Sequence, residues 1–523
     1  MLERSEISCL LQPFSFCIII FTIFLIFLIY KWYSTYMVTS NNKSSPPSPP
    51  KLPIIGNLHQ LGLCPHRSLQ TLARRHGPLM LLHFGSVPVL VVSSAERAKQ
   101  IMKTHDLTFS NRPKLTAFDK LLYNFKDISM APYGEYWRQV RSISVLHLLS
   151  NKRVQSYLAV REEETKSMVE NIENCCLSSS SVNLSLVLMK LTNDVVCRVA
   201  LGKKYNDGED GKKFKKLLGD FVELLGTFYV GDYIPQLSWL SFVNGVDAKM
   251  KKVAKEFDEF LEKVIDEHVD DYQNRVNGGH DCVGNEDYKD FTDILVHAQM
   301  ENLLGVAIDR VSIKAIILDM FAAGSDTTST ALEWALTELL RHPKIMHKLQ
   351  TEIRSIAGSK TFIAEDDLEA MVYLKAVIKE TLRLHPPIPL LVPRASRAKV
   401  EIDGYEILPG YQVYINAWAI GRDPISWERP EEFDPDRFLR SDVDYKGHDF
   451  QLIPFGAGRR GCPGILFAMA ENEIALANLV HRFDWGLPGG ASVENLDIAE
   501  TTGLTIHRKF PLVAVPSLYN PLC

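Results

Sequence analysis

The stretch that most limits what this chain can become is Pro454-Phe455-Gly456-Ala457-Gly458-Arg459-Arg460-Gly461-Cys462-Pro463-Gly464. Four glycines surround one cysteine, two arginines precede it, and an apolar run suited to a helix starts at Ile465. Backbone this rich in glycine lets a flat body lie against it and leaves amide N–H groups free. A cysteine among free amides, beside arginine and just before a helix N-terminus, is expected to be held as thiolate. A soft thiolate suits iron, and a lone thiolate leaves room for a macrocycle where a four-cysteine cluster would not.

The remaining cysteines do not compete for that role. They stand at 9, 17, 64, 175, 176, 197, 282 and 523, and no C-x-x-C pair occurs. An odd total of nine with scattered spacing argues against a disulfide framework and a zinc ribbon, and fits a reducing compartment. The length of 523 residues allows three or four domains at a loose rule of about 150 residues each. Yet beyond residue 60 neither a repeat nor a composition break marks a second domain. With 46% hydrophobic and 23% charged residues, one large core is feasible. A net charge of −5 offers no basic face to a polyanion, which excludes nucleic acid as a partner.

The N-terminus adds a second constraint. Leu10 to Tyr30 reads LLQPFSFCIIIFTIFLIFLIY. About 20 apolar residues cross a bilayer as a helix, whereas the apolar region of a cleavable signal runs about 7–15. No small-residue cleavage site follows; Lys31-Trp32-Tyr33 fits an interfacial belt with a cationic stop. Residues 1–33 are expected to be a retained membrane anchor, with the bulk of the chain in the cytosol. Pro46, Pro47, Pro49, Pro50 and Pro53 then lead to Gly56. Prolines at this density favour a stiff polyproline-II spacer, so 34–56 reads as a hinge that holds 57–523 at a fixed attitude to the membrane.

Within the body, LMLLHFG and VPVLVVS (79–93) predict a hairpin around a glycine turn. Helical periodicity dominates from about 95 to 385. CCLSSSS (175–181), KKYNDGEDGKK (203–213) and NRVNGGHDCVGNEDYKD (274–290) read as surface loops, and VEIDGYEI and QVYIN return as strands. The fold class is mainly α with small β-sheets.

Two more stretches carry chemistry. A long helix from about Ser312 to Arg341 contains Ala322-Ala323-Gly324-Ser325-Asp326-Thr327-Thr328. Glycine mid-helix costs about 1 kcal/mol against alanine, and polar residues in an apolar helix cost more. Taken alone, this is a locally kinked helix with solvated threonines. Lys379-Glu380-Thr381-Leu382-Arg383, ended by Pro386-Pro387, places Glu380 and Arg383 on one helix face. Taken alone, that pair is a surface bridge worth under about 1 kcal/mol.

Together these motifs resemble the cytochrome P-450 family. F-x-x-G-x-R-x-C-x-G, filled by Phe455, Gly458, Arg460, Cys462 and Gly464, looks like the family's haem-binding loop. The Pro-rich hinge, AGSDTT, KETLRLHPP and FDPDRF are most similar to plant A-type microsomal members, and the resemblance covers the whole chain. It implies a single cytochrome P-450 fold behind an N-terminal transmembrane helix. It also implies haem b with Cys462 as axial thiolate, which favours O–O cleavage. Phe455 and Gly464 would shape the loop. Arg460, Arg394, Trp137 and Arg141 would donate to the haem propionates, for which arginine is well matched. Glu380, Arg383 and Arg437 would pin the loop. Thr327 would hold dioxygen and water and Asp326 would relay protons, with threonine back-bonding opening the helix there.

The resemblance further implies a monooxygenase at the endoplasmic reticulum membrane, inserting one atom of O₂ into a C–H or C=C bond. Electrons would come from NADPH through a cytochrome P-450 reductase, since the chain shows no G-x-G-x-x-G βαβ unit or flavin module of its own. Arg138, Arg459, Lys152 and Arg153 could form the docking face. Phe118, Leu121, Phe321, Ala323, Ile388 and Leu391 would line an apolar pocket for a lipophilic molecule such as a coumarin, terpenoid or alkaloid. Two other readings stay open: a same-fold isomerase or dehydratase acting on hydroperoxides or oximes without O₂, and a non-catalytic haem- or lipid-binding membrane protein.

Overall fold

The continuous apolar runs at 79–92 become strands β1 (Leu79–Phe84) and β2 (Val87–Val92), paired antiparallel with Leu79 opposite Val92. The computed structural model describes residues 44–177, 180–205, 208–277, 290–301, 308–490 and 492–520, with positions 19, 22, 23, 26 and 27. Two later strands complete the sheet, β3 (Arg394–Ala395) and β4 (Gln412–Ile415), in the order β1-β2-β4-β3. β2 and β4 run parallel, with Val89 opposite Gln412. A parallel pair needs a crossover, and here the crossover is almost the entire helical body. Val400–Ile402 and Tyr405–Ile407, read from sequence as strand, form a second hairpin around Asp403-Gly404. Both turn residues have positive φ, as a tight two-residue turn requires.

The helical body includes α1 (Glu135–Ile143), α2 (Leu184–Leu201), α3 (Gly208–Leu225), α4 (Val246–Asn277), α5 (Arg310–Arg341), α6 (Val372–Leu384) and α7 (Ile465–Arg482). At 1.5 Å per residue the 32 residues of α5 reach about 48 Å. Asp309 caps its start by accepting from the Ser312 amide at 2.8 Å, and Pro343 lies just past its end. The helix is buried almost all round, so it runs through the middle of the core against α2, α6 and α7. It is also unbroken, so the expected opening at Thr327 is absent: the Thr327 hydroxyl bonds the Ala323 carbonyl without interrupting the helix. Gly324 is there for packing. A Cβ at that position would stand 2.9 Å from Val196 Cγ2 on α2.

Three loop boundaries differ from the sequence reading. Helix α3 begins at Gly208, inside the segment 203–213. Its apolar positions Phe214, Leu217, Phe221 and Leu224 are buried, and their helical spacing carries the helix back through the lysines. Helix α4 runs through Asn277, and 278–289 lie outside the described residues. The helix Leu158–Leu177 includes both Cys175 and Cys176.

The described part of the hinge does not stand free. Pro47 O accepts from the Leu81 amide at 2.9 Å, and the Asn57 side chain donates to the Pro49 and Pro50 carbonyls. Proline removes donors but keeps acceptors, and these acceptors dock the segment on β1. The expected anchor at 1–33 lies outside the described residues apart from five positions. Among the described residues no helix is long and apolar enough to cross a membrane.

Candidate active site

Cys462 follows the short turn Gly458–Arg460 and precedes α7. Gly458 has φ +67° and its Cα faces Met102 O, where a Cβ would come to 2.1 Å. Any side chain would push the loop off its support. The Cys462 amide donates to Phe455 O at 2.9 Å, and the Gly464 amide donates to Cys462 Sγ at 3.3 Å. Burial pushes the Cys462 thiol up, and the Gly464 N–H and the Arg141 charge offset this only in part. The Gly464 N–H and the Arg141 charge favour a thiolate against that burial, and a bound metal cation would favour it further.

A cavity opens beside this sulfur, and most of the expected residues meet there. Arg141, Trp137, Arg394 and Arg460 line it, with Phe455 and Gly464 from the loop and Ala323, Gly324 and Thr327 from α5. Arg112, which the sequence reading missed, is a further wall residue. Its local signal is weak, because it stands before Pro113 in a polar stretch, Ser110-Asn111-Arg112-Pro113-Lys114. Arg112, Arg394 and Arg460 are all buried. Their partners are mostly backbone carbonyls: Ser129, Val392 and Pro393 for Arg112, Ala457 for Arg394, and Ser110, Ile128 and Ala131 for Arg460. Arg141 donates to Gly461 O at 2.6 Å. Asp106, 3.3 Å from Arg394, is the one carboxylate within ion-pair distance of the four among the described residues. Burial lowers the pKa of all four, to about 10 for Arg394 and about 9 for Arg460, where neighbouring guanidiniums add repulsion. Such an excess of buried cations fits a cofactor that carries two carboxylates, and a haem has that chemistry.

Trp137 lines the same cavity as Arg460. Its indole N–H donates to Ile128 O at 3.0 Å, and its ring lies 4.2 Å from the Arg460 guanidinium carbon. The Ile128 peptide is held from the other side too, because its amide donates to Asp319 on α5. Asp319 and Asp127 form a buried carboxylate pair, both pushed up in pKa by burial.

Glu380, Arg383 and Arg437 assemble as the motif implied. Arg383 Nε and Nη2 each lie 2.7 Å from a Glu380 oxygen, and Arg437 Nε lies 3.0 Å from Glu380 Oε1. Arg383 also donates to the carbonyls of Gly421, Pro430 and Glu432. These bonds hold the 421–437 segment. The cysteine loop itself is tied by Arg141, Arg394 and the Asp106 carboxylate, which accepts the Arg459 amide at 3.0 Å.

A larger cavity of about 1400 Å³ adjoins the first, and Ile388 and Leu391 belong to both walls. Phe118 and Phe321 line the larger one, whereas Leu121 packs in the core and borders neither. Asp326 also faces the larger cavity, with Oδ1 3.0 Å from His507 Nε2. His507 was not singled out from sequence; it arrives on a loop nearly two hundred residues away with no periodic signal.

The family model described as Cytochrome P450 matches residues 46–513. Cytochrome P450 736A117 of Prunus mume is 65% identical over 468 residues, 89% of this chain and 88% of that protein. Norfluorocurarine oxidase of a Strychnos species is 55% identical, covering 88% and 90%, and cytochrome P450 71A6 of Nepeta racemosa is 56% identical, covering 89% and 92%. A zebrafish cytochrome P450 solved with abiraterone superposes with a TM-score of 0.71 at 25% identity, over 87% of this chain and all of that one. These relatives do not favour the isomerase or the non-catalytic reading. The family uses haem with thiolate ligation and takes electrons from a reductase. The chain belongs to the cytochrome P450 family and is a haem-thiolate monooxygenase of plant specialised metabolism.

Proposed function

We propose that Cys462 would ligate the iron of haem b, and that Arg112, Arg141, Arg394 and Arg460 would receive its propionates. One observation carries this reading: a cysteine sulfur, four arginines with no carboxylate at ion-pair distance but Asp106 among the described residues, and the Thr327 hydroxyl line one cavity. Bound there, the haem supplies the activation of O₂ that lets one oxygen atom enter substrate while the other leaves as water. The chain's own residues do the rest. Thr327 presents its hydroxyl from α5, oriented by the Ala323 carbonyl, and Asp326 is the adjacent proton donor. The mainly apolar walls of the larger cavity exclude water and select a lipophilic small molecule, with Phe118, Phe321, Ile388 and Leu391 against it. A relative named for oxidising norfluorocurarine supports that direction.

Thr327→Ala is expected to uncouple the cycle. Positioned proton donors contribute about 10²-fold or more, so product per NADPH should fall at least about tenfold while NADPH is still consumed and peroxide appears. Wild-type product yield per NADPH would remove Thr327 from the mechanism.

Residues 1–33 act in this reading as an endoplasmic-reticulum anchor that leaves the catalytic body in the cytosol. NADPH–cytochrome P450 reductase docks on a basic face that includes the exposed Arg138 and Arg459. Reversing both charges is expected to slow reductase-dependent reduction several-fold and to change its salt dependence. An unchanged rate with an unchanged salt profile would place the docking face elsewhere.

A further inference from the structure

Asp326 and His507 meet across two elements that the structure clamps together. Asp326, Thr330, Trp334 and Thr337 follow one face of α5. The 501–508 segment meets each in turn: His507 Nε2 lies 3.0 Å from Asp326 Oδ1 and His507 Nδ1 2.8 Å from Thr330 Oγ1. Trp334 Nε1 donates to Ile506 O at 3.0 Å, and Arg508 donates to Thr337 Oγ1 at 2.8 Å. The Thr501 hydroxyl accepts the His507 amide, which fixes the backbone behind the ring.

The hydrogen count around the ring is informative. The Thr330 hydroxyl has one hydrogen and lies 2.7 Å from the Asp326 carbonyl, which can only accept. Thr330 Oγ1 must then accept from His507, so Nδ1 carries a hydrogen. Nε2 faces a carboxylate oxygen, so a second hydrogen lies between Nε2 and Oδ1. Imidazole and carboxylate thus share one transferable proton beyond the neutral ring and the anion. Asp326 Oδ2 is buried without a hydrogen-bond partner among the described residues. The pair faces the large cavity, while the next residue, Thr327, lines the cavity of Cys462.

We propose that His507 stores the proton that reloads Asp326, making it a positioning and proton-supply residue for oxygen activation. The proposal rests on the relay role given to Asp326 above. The His507 Nε2–H bond breaks as an Asp326 O–H bond forms, leaving neutral imidazole and neutral acid. The acid releases its proton toward the Thr327 hydroxyl, and water of the large cavity returns a proton to His507. Burial alone would lower the His507 pKa, but the Asp326 carboxylate, with Glu333 farther along α5, leaves it raised. Arg508, next in the chain, points its charge to Thr337 and the Asp497 carbonyl.

Two measurements on the haem-loaded enzyme test this. Histidine C2-hydrogen exchange followed by mass spectrometry across pH should give His507 a midpoint above the ordinary value of about 6.5, falling back in Asp326→Asn. A wild-type midpoint at or below that value overturns the proposal, with no variant needed. In turnover, His507→Gln should cut product per NADPH several-fold, raise peroxide and enlarge the solvent isotope effect. Substrate KM should stay within about twofold, and His507→Lys should recover part of the coupling. Wild-type coupling in His507→Gln alongside uncoupled Asp326→Asn would overturn the role of His507 and leave the relay standing. Wild-type coupling in both would bring down the relay itself.

Discussion

Arg383→Ala is expected to leave almost no folded, haem-loaded protein. The Arg383 and Glu380 side chains are both fully buried and joined by two parallel bonds of 2.7 Å. Removing one partner of a buried pair costs about 3–5 kcal/mol, because the other charge stays in the interior. The carbonyls of Gly421, Pro430 and Glu432 lose a donor at the same time, each worth about 1 kcal/mol or more. Against a typical total stability of about 5–15 kcal/mol, that loss consumes most of the margin. Arg437 and the Asp434 amide still reach Glu380, and Arg437 also reaches the Glu432 carbonyl at 3.4 Å, so the carboxylate is not wholly unpaired, but neither serves the Gly421 and Pro430 carbonyls. Arg383→Lys should fail nearly as badly, since one ammonium cannot serve the fork and three carbonyls together. Soluble yield, haem content and thermal unfolding check this; wild-type values in Arg383→Ala would refute the brace.

Cys462→Ala is expected to do the opposite: keep the fold and abolish turnover. The sulfur's bonds within the protein amount to one weak N–H···S contact from Gly464 at 3.3 Å. The loop is held independently by Arg141 on Gly461 O, Arg394 on Ala457 O and the Cys462 amide on Phe455 O. Unfolding temperature should therefore shift by a few degrees at most, while product formation in reductase-supplemented turnover drops to background. Retained product formation would mean that oxygen activation does not depend on this thiolate.

The site was legible in the sequence to different depths. Cys462, Arg460 and the glycines around them declared themselves because no ordinary loop needs that density of glycine beside arginine and cysteine. Glu380 and Arg383 looked like a surface bridge by local rules, and only the motif turned them inward; the fold buries them because α6 packs between α5 and α7. Gly324 suggested a kink, since nothing local reveals that Val196 of another helix presses against it. Trp137 lies in the cavity wall, and the carbonyl of Ile128 that accepts its indole N–H was not legible from the W-x-x-x-R spacing. Arg112 and His507 were invisible for a shared reason. Each gains its meaning from partners far along the chain: Val392 and Pro393 for the first, Asp326 for the second. The β2–β4 parallel pairing is of the same kind, because periodicity marks a strand and says nothing of its distant neighbour.

Everything above turns on one thiolate beneath one haem. The most direct test is the carbon monoxide difference spectrum of the reduced protein, recorded for the wild type and Cys462→His side by side. The expected result is the red-shifted Soret band of thiolate-ligated haem in the wild type, moved in the variant to the position of imidazole-ligated haem. An identical band in both proteins, or an imidazole-type band in the wild type, would contradict ligation by Cys462.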